Sequence, residues 1–76
     1  MARKSFAVIG MGRFGQSVVE ELIHREADVL VIDKNPDRIA QMSKIATHAV
    51  TLDSTDTVSL KEVGIQSIDH VVVAIG

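Results

Sequence analysis

At 76 residues the chain has room for one small domain, and a domain of this size buries only about 60 per cent of the surface its unfolded form exposes. A net charge of -2 at pH 7, a pI near 5.8 and eight scattered basic residues exclude the electrostatic footprint of a nucleic-acid or anionic-lipid binder, and the lack of cysteine excludes disulfides, thiolate metal sites and thiol chemistry. No run approaches the ~20 apolar residues that span a bilayer, and Met1-Ala-Arg-Lys-Ser5 leads into an apolar run too short for a signal peptide, so a cytoplasmic protein is expected.

Ser5 to Ile9 forms a first strand that runs straight into Gly10-Met11-Gly12-Arg13-Phe14-Gly15 and then into a helical pattern. That context turns a weak glycine match into a dinucleotide-binding turn. Gly10 lets the chain leave the strand tightly, Gly12 lets backbone approach a pyrophosphate, and Gly15 lets the helix pack close to the sheet. The phosphates are expected on backbone N–H groups at the positive end of the helix, with Arg13 adding a full charge. Met11 and Phe14 are better packing residues than base contacts. The helix, from Phe14 to Arg25, puts Val18, Val19, Leu22 and Ile23 on one face and leaves Glu20 and Glu21 solvated.

A second strand, Asp28 to Ile32, is closed by Asp33, which stands 18 residues after Gly15 and near the ~20 expected of the acid that takes the ribose hydroxyls. The plainer alternative is a solvated strand end. Its charge is expected to disfavour a 2′-phosphate, with Lys34 as a partial offset, so that NAD(H) or an adenine nucleotide fits better than NADP. Asn35-Pro36 supplies an N-cap and a first-turn proline for a second helix with apolar contacts at Ile39, Met42 and Ile45. In it, Asp37-Arg38 reads as a solvated first turn.

His48 to Leu52 forms a third strand. A weaker third helix is expected from about Thr55 to Val63, capped by Ser54 or Thr55 and stopped by Gly64. The fourth strand runs from His70 to Ile75. Because the apolar runs are continuous rather than alternating, both sheet faces are expected to be buried in a parallel arrangement. Right-handed crossovers then predict an α/β, Rossmann-like doubly wound sheet in the order 3-2-1-4, with its crevice at the carboxyl ends of the strands. Gly10, Gly12, Asp33, Asp53 and Gly76 all fall on that edge. His24, His48 and His70 have no metal-binding spacing and are read as structural.

Taken together, Gly10-Met-Gly-Arg-Phe-Gly15, the Asp33 strand end, Ala46-Thr-His-Ala49, Asp53-Ser54-Thr55 and Val73-Ala74-Ile75-Gly76 resemble the regulator of potassium conductance domain, also called KTN or the TrkA N-terminal domain. Within it, the likeness is greatest to the cytoplasmic nucleotide-binding subunit of Ktr-type potassium uptake systems. The resemblance spans all 76 residues and corresponds to the N-terminal half to two thirds of a single such domain, so the chain reads as a fragment. It implies regulation rather than catalysis: binding of ATP, ADP or NAD(H) that gates a membrane potassium-transporting partner, in dimers or rings of dimers, without membrane insertion or nucleic acid. On the family pattern Gly10, Met11, Gly12, Arg13, Phe14 and Gly15 border the phosphates, with Arg13 sensing the terminal one. Asp33 and Lys34 border the ribose, Asp53, Ser54 and Thr55 the adenine, and Ala74, Ile75 and Gly76 the far side. Ser54 stands where the family commonly has alanine. The alternative reading is the cofactor half of an NAD-dependent dehydrogenase, since the same fingerprint serves hydride transfer.

Overall fold

The computed structural model describes residues 3–74. Four strands, β1 (Ser5–Ile9), β2 (Asp28–Asp33), β3 (His48–Thr51) and β4 (His70–Val73), pair in parallel in the order β3-β2-β1-β4. The register sets Val8 beside Val31 and Val72, and Ile9 beside Ile32 and Val73. Between the strands lie helices α1 (Arg13–His24), α2 (Pro36–Met42) and α3 (Thr57–Glu62), followed by one 3-10 turn at Ile65–Ser67. This is the Rossmann-like α/β sheet that the strand runs and crossover handedness imply.

The core lies between the two central strands and the first two helices. Val8, Val29 and Val31 alternate along β1 and β2 toward one face, where they cluster with Val19 of α1 and with Ile39 and Met42 of α2. Period 2 in the strands meets period 3.6 in the helices, and the apolar faces close on each other. Helix α2 starts as its sequence dictates: Pro36 occupies the first turn, and the Asn35 side chain accepts the Asp37 N–H at 2.9 Å. At the end of α1 the chain turns through Glu26, a left-handed residue (φ 64°), and the Ala27 N–H returns to the Leu22 carbonyl at 3.0 Å.

Three expectations need correction. Helix α3 is capped by Asp56, whose Oδ1 accepts the Ser59 N–H at 3.1 Å, because Thr55 is already committed to a turn around Asp53. Ile45 lies beyond the end of α2 and is 41% exposed rather than packed. The edge strands are also not buried on both faces: Val71 is 47% and Val73 63% exposed. Edge position explains this, since β4 is the last strand on its side of the sheet and α1 and α2 gather over β1, β2 and β3. Opposite them, Val63 and Ile68 face Leu30 and Val50 across a groove of about 490 Å³. At the amino ends of β1 and β4, Ser5 and Asp69 bond reciprocally: the Ser5 N–H donates to Asp69 Oδ2 and the Asp69 N–H to Ser5 Oγ, both at 2.9 Å. Of the fourth strand as expected, Ile75 lies outside the described residues.

Candidate functional site

Every parallel strand points its carboxyl end the same way, so the loops after β1, β2 and β3 gather on one edge with Ala74, which follows β4. There they enclose a cleft of about 320 Å³ lined by Ile9, Gly10, Met11, Gly12, Asp33, Lys34, Arg38, Leu52, Asp53, Ser54, Thr55 and Ala74. Nine of these are residues expected from the sequence. Arg13, Phe14 and Gly15 lie beside the cleft as the first turn of α1, where Arg13 is exposed and Phe14 is 66% exposed. Ile75 and Gly76 fall outside the described residues.

The glycine turn serves three different needs. Gly10 carries a left-handed φ of 98°, which a side chain would strain. At Gly15 a Cβ would lie 1.9 Å from the Gly10 carbonyl oxygen, so helix and strand touch backbone to backbone. Gly12 needs neither allowance: its φ is -70°, and a Cβ there meets nothing within 4 Å. The space a Cβ would fill at Gly12 is open. As N-cap of α1, Gly12 also brings no side-chain acceptor, and among the described residues no side chain caps the Arg13, Phe14 and Gly15 N–H groups. A 12-residue helix thus turns an uncapped, positively polarised end toward the cleft rim.

The turn is built in advance. The Met11 peptide is held from both sides: its N–H donates to Asp33 Oδ2 at 2.6 Å, and its carbonyl accepts from Gln16 Nε2 at 2.9 Å. Its side chain is wholly buried in the core. Asp33 is 8% exposed, and its other oxygen accepts the Asn35 N–H at 2.8 Å. This acid at the tip of β2 therefore organises two loops as well as facing the cleft, a role that sequence spacing did not reveal. Gln16 was also missed, since a polar residue one turn into a helix gives no local sign that it reaches back to the turn. The sequence puts Arg38 on a solvated first turn, whereas in the structure it lines the cleft, with Nη1 3.8 Å from Asp33 Oδ2. Its signal was helical phase: two residues after Pro36, it stands on the first turn of a helix that begins at the cleft.

Across the cleft, Asp53 Oδ1 accepts the Thr55 N–H at 2.9 Å and the Thr55 hydroxyl at 2.8 Å. These bonds, the backbone one first, hold the Asp53 carboxyl below its ordinary value, and the Lys34 charge adds a smaller pull in the same direction. The cleft thus offers backbone donors at a helix end, an acid and two cations on one lip, and an ordered polar loop on the other. Among the described residues no group of three or more potential metal ligands gathers, and no helix is long and apolar enough to cross a membrane.

The chain is similar in sequence to known proteins. The chain is 47% identical over 97% of its length to Ktr system potassium uptake protein C of Bacillus subtilis, covering 34% of that protein. It is 42% identical over 96% of its length to Ktr system potassium uptake protein A of the same organism, covering 33% of it. To the Trk system potassium uptake protein TrkA of Mycobacterium tuberculosis it is 31% identical over 92%, covering 32%. It thus spans about a third of the length of these relatives, whose names describe potassium uptake proteins and no enzymatic reaction. The TrkA-N domain pattern matches residues 6–76, from the first strand through the glycine turn and the strand-end acid to the last residue, and the chain belongs to the TrkA-N domain family.

Proposed function

We propose that this chain is the N-terminal part of a single nucleotide-binding regulatory domain, and that nucleotide occupancy of its cleft gates a membrane potassium transporter or channel. The observation that carries the reading is Gly12. Neither its backbone angles nor its packing requires glycine, yet glycine stands where the uncapped end of α1 opens into the cleft. A residue that needs no glycine for the fold keeps the approach clear for a ligand. The ligand is ATP, ADP or NAD(H): its phosphates meet the N–H groups at the start of α1, its ribose meets Asp33, and its base lies toward Asp53, Ser54 and Thr55. Arg13, exposed on the first turn of α1, is the residue to sense a terminal phosphate.

The transporter partner is supported by the names of the relatives, which are potassium uptake proteins. A homodimer, assembling further into a ring in the full-length protein, is supported by the exposed apolar edge at β4. Such a domain regulates and does not catalyse. Its place is at the inner face of the membrane, reached through its partner.

Calorimetric titration of ATP, ADP and NADH into wild type and Gly12→Val tests the reading. The Cβ position at Gly12 is open, so the variant is expected to fold with a melting temperature lowered only by the about 1 kcal/mol of a poorer helix N-cap, and it loses binding because its methyl groups enter the phosphate path. Undiminished affinity in a folded Gly12→Val protein refutes the assignment. Arg13→Ala is expected to weaken ATP more than AMP or NADH. Equal losses for ATP and AMP refute its sensing role alone.

A further inference from the structure

The peptide that joins Met11 to Gly12 has one side-chain anchor among the described residues. Its carbonyl accepts from Gln16 Nε2 at 2.9 Å, whereas the Asp33 bond at 2.6 Å falls on the Met11 N–H, which belongs to the peptide before it. The Met11–Gly12 peptide is trans, so its N–H points opposite to its carbonyl. The Gly12 N–H therefore points away from Gln16. Among the described residues it donates no hydrogen bond, and Gly12 lines the cleft. A free backbone donor thus stands on the cleft wall, one residue before the uncapped N–H groups that open α1.

Nothing in Gly12 itself holds the peptide in this orientation. Turning the peptide over puts the Met11 carbonyl where the N–H stood and carries the Gly12 φ from -70° into the left-handed region, which glycine enters without strain. The residue that leaves room for a phosphate therefore also leaves its own peptide free to present an oxygen to it. We infer that Gln16 is a positioning residue for the phosphate end of the ligand: its side-chain amide latches the Met11 carbonyl and so keeps the Gly12 N–H turned to the cleft. This rests on the nucleotide reading above and adds to it a residue that does not line the cleft and acts through the turn. Glutamine suits the task because a carbonyl only accepts, and the amide NH2 donates to it from one turn into the helix. A glutamate of the same shape offers a donor only when protonated.

Calorimetric titration of ADP into the full-length protein tests this in wild type, Gln16→Leu and Gln16→Glu, from about pH 8 to about pH 5. Gln16→Leu, with no donor, is expected to weaken ADP roughly 3- to 10-fold at every pH. Gln16→Glu is expected to weaken it about tenfold or more near pH 8, where its charge faces the Met11 oxygen. That oxygen disfavours the ionised acid, which protonates above its ordinary value of about 4.3 and regains a donor, so the gap to wild type closes to about threefold or less near pH 5. Arg13 and Glu20 on the same helix, and Asp33 bonded to the same Met11, are common to all three proteins, and the ratio to wild type at each pH cancels their titration. A glutamine with a merely structural role gives losses that do not respond to pH. ADP affinity in Gln16→Leu within about twofold of wild type, or a Gln16→Glu loss that stays constant across the pH range, overturns the positioning role and leaves the nucleotide reading standing. Gln16→Glu keeps the shape of the side chain and decides the matter by itself if Gln16→Leu does not fold. A wild type that binds no ADP, ATP or NADH overturns the nucleotide reading and the positioning role with it.

Discussion

Asp33→Ala is expected to destabilise the domain with no nucleotide present. A residue whose only role is to bind ribose is silent in the absence of ligand, but Asp33 accepts the Met11 N–H at 2.6 Å in a buried setting and the Asn35 N–H at 2.8 Å nearer the rim. Truncation strands the first donor beside a wholly buried side chain, which costs about 1–3 kcal/mol, whereas water replaces the partner of the second for roughly 0.5–1 kcal/mol. The Arg38 contact at 3.8 Å, with Arg38 half exposed, adds nothing of consequence. The total is about 1.5–4 kcal/mol, a large share of the roughly 4–11 kcal/mol that a chain of this length commands. At roughly 4–8 °C per kcal/mol, the melting temperature falls by at least about 6 °C. Urea and thermal unfolding of the nucleotide-free protein, followed by circular dichroism, measure it. A midpoint within about 0.5 kcal/mol of wild type refutes the claim that Asp33 holds the glycine turn.

Gly15→Ala is expected to cost about 3 kcal/mol or more, because its Cβ would lie 1.9 Å from the Gly10 carbonyl oxygen, while Gly12→Ala, with open space around the new methyl, costs only the about 1 kcal/mol or less of a poorer helix N-cap. Equal unfolding midpoints for these two variants contradict the division of labour among the glycines. Asp56 and Asp69 are both held below their ordinary value of 3.8, the first chiefly by Ser59 and the second by Ser5. A carboxyl depressed in the folded state stabilises fully above its unfolded value and loses that contribution as pH falls through the folded one. The share of stability these two carboxyls supply is therefore expected to be lost only as pH falls below about 4, where the melting temperature drops less steeply in the double variant Asp56→Asn, Asp69→Asn; parallel curves for variant and wild type count against it. Finally, the chain is expected to dimerise over roughly micromolar to hundreds of micromolar concentration, since β4 leaves Val71 and Val73 exposed at an edge with no proline or lysine in it. Light scattering that finds a folded monomer across that range shows that the edge is tolerated.

Much of this protein was legible from local pattern. The apolar run into Gly10-Met-Gly-Arg-Phe-Gly15, the Asn35-Pro36 helix start and the Asp33 strand end depend on neighbours within a turn or two, so their structural meaning is carried by spacing alone. Strand order followed as well, because crossover handedness leaves few ways to connect four parallel strands. What packing decided was partnership. The cap of α3 passed to Asp56 because Thr55 could serve only one turn and Asp53 held it. Which glycine the fold needs, and which it merely permits, depended on how closely α1 approaches the end of β1. Arg38 reached the cleft because α2 begins at the tip of β2, and the Met11 N–H met the Asp33 carboxylate because two parallel strands lie in register across 22 residues of chain. Spacing along the chain sets which elements form, but only their juxtaposition in the folded sheet sets which donor meets which acceptor.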